Sequence, residues 1–206
     1  MHVAILLFEH VTALDAVGPY EVLSRLPGAT LDFVGVEVGP VRTDTGRLAL
    51  TVDRPIAEVD APDIVLVPGG PGSRAALKDP RILDWLRRVH RTTRFTTSVC
   101  TGSLVLAAAG LLDGVEATTY WACMDELAAL GAVPVRERVV ERGRIVTAAG
   151  VSSGIDMALT LAARIGGDAL GQALQLGIEY DPAPPFDCGN PARAPKEIVE
   201  MVAALI

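Results

Sequence analysis

The chain has 206 residues, which suits one domain, and half of them are apolar while only 4% are aromatic, so Ala, Val, Leu and Ile must build the core. A net charge of -7 provides no basic face to displace counterions, which argues against nucleic acid and anionic membranes as partners. No apolar run approaches the ~18 residues of a membrane span. The three cysteines, Cys100, Cys123 and Cys188, are widely spaced, contain no CxxC pair and do not form a disulfide framework by number. At this length folding buries roughly 70% of the unfolded surface, so stability needs neither metal nor disulfide.

Met1 to Phe8 runs straight into a strand, without a basic region or a small-residue cleavage site. The expected location is therefore cytoplasmic, where thiols stay reduced. Val3 to Phe8 reads as a buried parallel strand, followed by a loop and a helix from about Gly18 to Leu26, with Pro19 in its first turn. Leu31 to Val36 is the next strand. Val38 to Val41 and Leu48 to Val52 flank Thr43-Asp44-Thr45-Gly46 as an antiparallel excursion. Ile64 to Val67 is a buried strand that enters Pro68-Gly69-Gly70-Pro71-Gly72, with helices expected near Ser73 to Leu77 and Pro80 to Arg91. The arginines between Arg87 and Arg94 read as a solvated helix face opposite Leu83, Leu86 and Val89.

Phe95 to Val99 is a strand ending at Cys100, and Gly102 to Ala109 is a small-residue helix. Short strands are expected at Glu116 to Thr119, Val135 to Val140 and Ile145 to Ala148. Helices are expected at Ser152 to Ile165 and Asp168 to Tyr180, then a Pro-rich loop from Pro182 to Pro195 and a helix from Pro195 to the end. Strand and helix alternate throughout, so the class is α/β with a mainly parallel sheet, and residues 1–206 read as one domain. Ligands of such sheets bind beyond the carboxyl ends of the strands. Three loops stand there: His10 to Asp15, Pro68 to Gly72, and Cys100-Thr101-Gly102.

A buried strand, a reactive residue and a small-residue helix without a spacer follow the logic of a nucleophile elbow, with Cys100 in the place of serine. A helix N-terminus favours thiolate, so a lowered pKa and fast alkylation of Cys100 are expected. A buried structural cysteine is the alternative, and it is retained for Cys123 and Cys188. Backbone N–H groups of Gly69, Gly70 and Thr101 are candidate donors to a developing negative charge. The histidines are poorly placed: His2 is terminal, His90 lies on the arginine-rich helix, and His10 reads as a surface residue. Asp15, between Leu14 and Ala16, is expected to be partly buried, with a raised pKa that lets it hold a proton near a thiolate. It also suits an N-cap.

Three stretches together resemble the PfpI/ThiJ superfamily: Leu14 to Leu23, Val67-Pro68-Gly69-Gly70-Pro71-Gly72, and Val99-Cys100-Thr101-Gly102. The resemblance implies a flavodoxin-like three-layer sandwich related to class I glutamine amidotransferases, and a homodimer. Thr97 to Leu106, Ala117-Thr118-Thr119, Gly154 to Leu161 and Glu179 to Phe186 resemble the members that hydrate isocyanides. It further implies a catalytic nucleophile at Cys100, an acidic partner at Asp15, a hydroxyl neighbour at Thr101 and a diglycine loop at Gly69 and Gly70. Relatives usually carry Thr-Thr-His-Trp where this chain has Thr118-Thr119-Tyr120-Trp121, which speaks against histidine-dependent chemistry on glyoxals or glycated adducts. Tyr120 and Trp121 become pocket walls. The implied reaction takes a small-molecule isocyanide and water to an N-substituted formamide, with no metal, nucleotide or flavin. A thiol-based redox sensor and the sensor half of a transcriptional regulator are the other roles the superfamily implies.

Overall fold

A computed structural model describes residues 1–205. β1 (His2–Leu6) leads into α1 (Ala13–Leu23) and β2 (Thr30–Gly35). A hairpin of β3 (Gly39–Arg42) and β4 (Ala49–Val52) precedes β5 (Arg54–Pro55). β6 (Ile64–Val67) is followed by α2 (Ser73–Ala76) and α3 (Pro80–His90), then β7 (Phe95–Val99) by α4 (Gly102–Ala108). The chain continues through β8 (Glu116–Ala117), α5 (Met124–Ala129), β9 (Val133–Pro134), β10 (Val139–Arg142) and β11 (Ile145–Ala148). It ends in α6 (Ser153–Gly166), α7 (Asp168–Gly177) and α8 (Lys196–Ala203).

Seven strands form the central sheet in the order β10-β11-β7-β6-β1-β2-β5, parallel except for the β10–β11 hairpin. Val3 lies beside both Leu31 and Ile64, Ile64 beside Phe95, and Thr96 beside Ile145. β6 and β7 are buried along their whole length, as parallel strands covered on both faces must be. One face carries α1, α6 and α7, with α6 packed against both others. On the other face α4 packs against α2, α3 and α5. The result is a mainly parallel sheet between two helical layers, the fold expected from the sequence. Among the described residues no helix is long and apolar enough to cross a membrane.

On α3 the buried residues Ile82, Trp85, Leu86 and Val89 recur at the spacing of one helical face, and the Trp85 indole donates to the carbonyl of Val59 at 2.8 Å. Its arginines lie outside that face, in ion pairs such as Arg87 with Asp84 and Arg88 with Asp60. Leu83, expected on the core side, is only partly buried.

Several elements depart from expectation. α1 begins at Ala13 rather than Gly18, because Thr12 N–H donates to Gly69 carbonyl oxygen at 2.9 Å and Asp15 N–H back to Thr12 at 3.1 Å. Pro19 therefore sits inside the helix. It lacks the N–H that would bond the Asp15 carbonyl one turn earlier, and the adjacent Gly18 lets α1 close on Ile155 of α6. The strand expected at Glu116 to Thr119 is shortened and that at Val135 to Val140 is displaced: β8 stops at Ala117, where Thr118 N–H instead donates to Thr147 Oγ1 at 2.9 Å, and β10 runs from Val139 to Arg142. α7 stops at Gly177 rather than Tyr180, and α5 and β5 form where only loop was expected. The last helix runs from Lys196 to Ala203, and the expected continuation reaches Ile206, outside the described residues.

The elbow after β7 depends on Gly102, where a Cβ would collide with the Val67 carbonyl oxygen at the end of β6. Overpacking against backbone costs roughly 1–3 kcal/mol. Gly177 has nothing within 4 Å of its Cβ position. Urea unfolding should show Gly102→Ala losing at least about 2 kcal/mol, while Gly177→Ala is neutral or gains a few tenths.

Candidate active site

The carboxyl ends of β11, β7, β6 and β1, consecutive in the sheet, converge on one point. Cys100 leaves β7 with φ +57°, a left-handed conformation that costs a non-glycine residue roughly 1–2 kcal/mol. Its surroundings hold it there. The Cys100 N–H donates to the carbonyls of Ala148 (3.0 Å) and Ala149 (3.2 Å), and its carbonyl accepts from Ser103 Oγ (3.1 Å) and Thr119 Oγ1 (3.0 Å). The side chain is projected off the strand end yet remains 5% exposed. Strain maintained by this many partners makes Cys100 the candidate around which the site is described.

Asp15 lies in the first turn of α1, one turn before Pro19, and is fully buried. It is not an N-cap. Its Oδ2 accepts from the Gly69 N–H at 2.9 Å, whereas its Oδ1 has no hydrogen bond of good geometry. The Cys100 thiol is close enough to this carboxyl for each group to influence the other's charge. Burial pushes the Asp15 pKa up to about 7. The Gly69 amide and the thiol oppose that rise, and the charge of Asp44 adds slightly to it.

The thiol answers in kind. Burial is the largest cause, followed by the charge of Asp15, and together they push the Cys100 pKa well above the usual thiol range. The Thr101 N–H pointing at the sulfur acts in the opposite direction but does not prevail. The lowered pKa expected from a helix N-terminus is therefore corrected: α4 has only 7 residues, and burial is the largest influence on the thiol. The pair is one of a buried thiol and a buried carboxyl, each disfavouring the other's charge.

The Thr101 hydroxyl is caged. It accepts from the Gly70 N–H and from Ser73 Oγ, each at 3.0 Å, and approaches the Gly70 carbonyl at 3.3 Å. The two glycine amides expected to stabilise a developing negative charge are thus both engaged: Gly69 holds Asp15 and Gly70 holds Thr101. Of the three candidate donors only the Thr101 N–H faces the sulfur. The diglycine is required for packing. A Cβ on Gly69 would lie 2.5 Å from the Thr101 nitrogen, and Gly70 has φ +116° with its Cβ position 2.5 Å from the Thr12 nitrogen.

The loop after β11 was not anticipated as part of the site. A Cβ on Gly150 would lie 3.2 Å from the Cys100 sulfur and 2.5 Å from the ring of Tyr120. The signal was its place: Ala149-Gly150 follows a strand on the same sheet edge as the three recognised loops. Ser73 and Thr119, read from the sequence only as a helix start and as part of a motif, also contact the site through Thr101 and the Cys100 carbonyl. Tyr120 is half-buried over this loop and tilts against Trp121, with ring centroids 5.6 Å apart. Trp121, Thr119, Ala149 and Gly150 line a cavity of about 690 Å³. Cys100 does not line it, whereas Gly150, whose Cβ position lies 3.2 Å from the sulfur, does. No histidine joins the group: His2 pairs with Asp32, His10 is exposed, and His90 bonds Thr96.

Comparison with known proteins places this geometry in context. The family model described as DJ-1/PfpI family matches residues 1–164. The isonitrile hydratase of Pseudomonas putida is 45% identical over 200 residues, spanning 97% of this chain and 87% of that protein. The HTH-type transcriptional regulator GbdR of Pseudomonas aeruginosa is 30% identical over 183 residues, 84% of this chain but 48% of the regulator. Among solved structures, a ThiJ/PfpI family protein from Pseudomonas syringae superposes with a TM-score of 0.96 at 35% identity, covering 99% of this chain and 85% of that one.

The Asp15 shift carries a consequence for stability. The folded carboxyl keeps a proton up to about pH 7, whereas the unfolded one releases it near 3.8. Stability from this group is therefore greatest in acid, falls as pH rises from about 4 to about 7, and stays low above that. The full swing is on the order of 4 kcal/mol, at 1.36 kcal/mol per pKa unit. Asp15→Asn removes the penalty. Urea midpoints at pH 5 and pH 8 should show the variant gaining on the wild type at pH 8 by about 1–4 kcal/mol. An equal difference at both pH values would mean an ordinary carboxyl.

Proposed function

The chain belongs to the DJ-1/PfpI family, and from that footing we propose that it is a single-domain, homodimeric isonitrile hydratase that converts an isocyanide and water into an N-substituted formamide. The single observation that carries the reading is a buried carboxyl, with a pKa of about 7, facing a buried thiol where no histidine stands. A proton carrier poised near neutral pH is what general acid–base work requires. The 45% identity to an isonitrile hydratase over nearly the whole chain supports the substrate class. Chemistry on glyoxals or glycated adducts loses its footing at Tyr120, where a histidine would be needed.

The resting thiol is neutral, so a base must take its proton as the sulfur attacks. In the proposed sequence the Asp15 carboxylate accepts the thiol proton while Cys100 sulfur bonds to the terminal isocyanide carbon. The new carboxylic acid then delivers that proton to the same carbon, giving a thioimidate, R–N=CH–S–Cys100. Asp15, a carboxylate again, takes a proton from water as the water oxygen adds to the carbon, and passes that proton to the nitrogen. Collapse of the tetrahedral adduct breaks the C–S bond, the adduct's hydroxyl proton passes through Asp15 to the sulfur, and R–NH–CHO leaves with the thiol restored. Covalent catalysis divides one difficult addition into two easier ones. Fixed between Gly70 and Ser73, Thr101 keeps its N–H aimed at the sulfur, where it stabilises the developing thiolate.

Formamide production from an aryl isocyanide tests the reading. Wild type should turn over, Cys100→Ala should be inactive, and Asp15→Asn should fall by about 10²–10⁴-fold. Because the carboxylate is the base, kcat/KM should rise with pH through an apparent pKa near 7 and level above it, a value that belongs to the pair. Full turnover by Asp15→Asn, or by Cys100→Ala, would overturn the proposal.

A further inference from the structure

The cavity behind Gly150 carries an unusual concentration of positive charge for so acidic a chain. Arg136, Arg138 and Arg193 all line it, against one carboxylate, Glu137. Two of the arginines are held in place by acids that do not themselves line the cavity: Arg193 Nε donates to Asp187 at 2.7 Å, and Arg138 pairs with Asp156 while its Nη2 donates to Ser152 at 3.2 Å. Arg136 has no ion pair or side-chain hydrogen bond among the described residues, although the other two arginines and most others of the chain are engaged. Its five donors are left for a ligand. Trp121 supplies an apolar flat wall on the same cavity. At about 690 Å³ the space fits a small organic molecule.

We propose that this cavity receives the far end of the substrate and that this end is anionic: the enzyme's isocyanide bears a carboxylate, held by Arg136 with Arg138 and Arg193 behind it, and an aromatic or apolar spacer against Trp121. The inference rests on the hydratase reading for the reacting end and adds the substrate class. The geometry joins the two ends. Gly150 lines the cavity, and its Cβ position lies 3.2 Å from the sulfur and 2.5 Å from the Tyr120 ring, so the cavity wall and the thiol are immediate neighbours. Thr119 links the two as well, lining the cavity while its hydroxyl binds the Cys100 carbonyl at 3.0 Å. An isocyano group is linear and narrow, so it demands less room beside Gly150 and Tyr120 than a branched group would. Guanidinium binds carboxylate through two parallel hydrogen bonds, stronger than neutral ones and matched in shape.

The test compares 4-isocyanobenzoate with its methyl ester, which share the reacting group and ring but differ in charge. Wild type should favour the acid in kcat/KM by about tenfold or more, as expected of one charge-assisted contact. Arg136→Gln should collapse that ratio toward one, and Arg136→Lys should restore part of it. A wild-type ratio near one, or a ratio unchanged in Arg136→Gln, overturns the proposal. If neither compound is hydrated, the hydratase reading fails and binding decides the cavity separately. Calorimetry on Cys100→Ala with 4-formamidobenzoate and its methyl ester should still show the acid binding at least tenfold tighter, and equal or absent binding of both overturns the anion site.

Discussion

The buried carboxyl of Asp15, held by one amide and facing a thiol, is the constraint around which the rest of the site is arranged. Neither group is comfortable when charged. Asp15 has lost water on every side and regained only the Gly69 N–H. Cys100 has lost nearly as much and faces a carboxylate. Two such groups cannot both ionise without severe penalty, so the carboxyl gives up its proton only near pH 7 and the thiol keeps its own beyond that. A pair of this kind is costly for folding and useful for moving one proton onto and off a carbon atom.

Maintaining the pair requires the main chain to come unusually close to itself. The strands ending at Leu6, Val67, Val99 and Ala148 deliver their loops to one place, and glycines let those loops interlock. Gly102 clears the Val67 carbonyl, Gly69 clears the Thr101 nitrogen, and Gly150 clears the sulfur. The left-handed Cys100 is held because the end of β11 and the loop after it occupy its N–H while Ser103 and Thr119 occupy its carbonyl. Function here is a property of the sheet edge, and the helices press that edge together.

Much of this was legible in the sequence. The run from Thr97 to Ser103 has only one sensible reading as strand, turn and helix, and Asp15 stood out as an acid between apolar neighbours. What escaped was set by contacts distant in sequence. α1 starts early because Thr12 bonds to Gly69, 57 positions on, which no local propensity encodes. The glycine amides point at Asp15 and Thr101 for the same reason, although glycine in a loop looks the same whichever way its N–H turns. The direction of the thiol shift was misread because a helix terminus is visible in sequence while desolvation is not. Gly150 carries no motif at all and is recognised only by what its side chain would strike.

Tyr120 packs against Gly150 and Trp121 beside this pair and brings no further proton carrier near neutral pH. The account stands or falls on where the proton resides. Infrared difference spectroscopy of the carboxyl stretch across pH, comparing wild type with Asp15→Asn, addresses it directly. A protonated-carboxyl band assigned to Asp15 should disappear with a midpoint near pH 7, and the midpoint should rise in Cys100→Ala, where the thiol donor is lost. A band that titrates near pH 4, like that of an exposed aspartate, or one indifferent to Cys100, would contradict it.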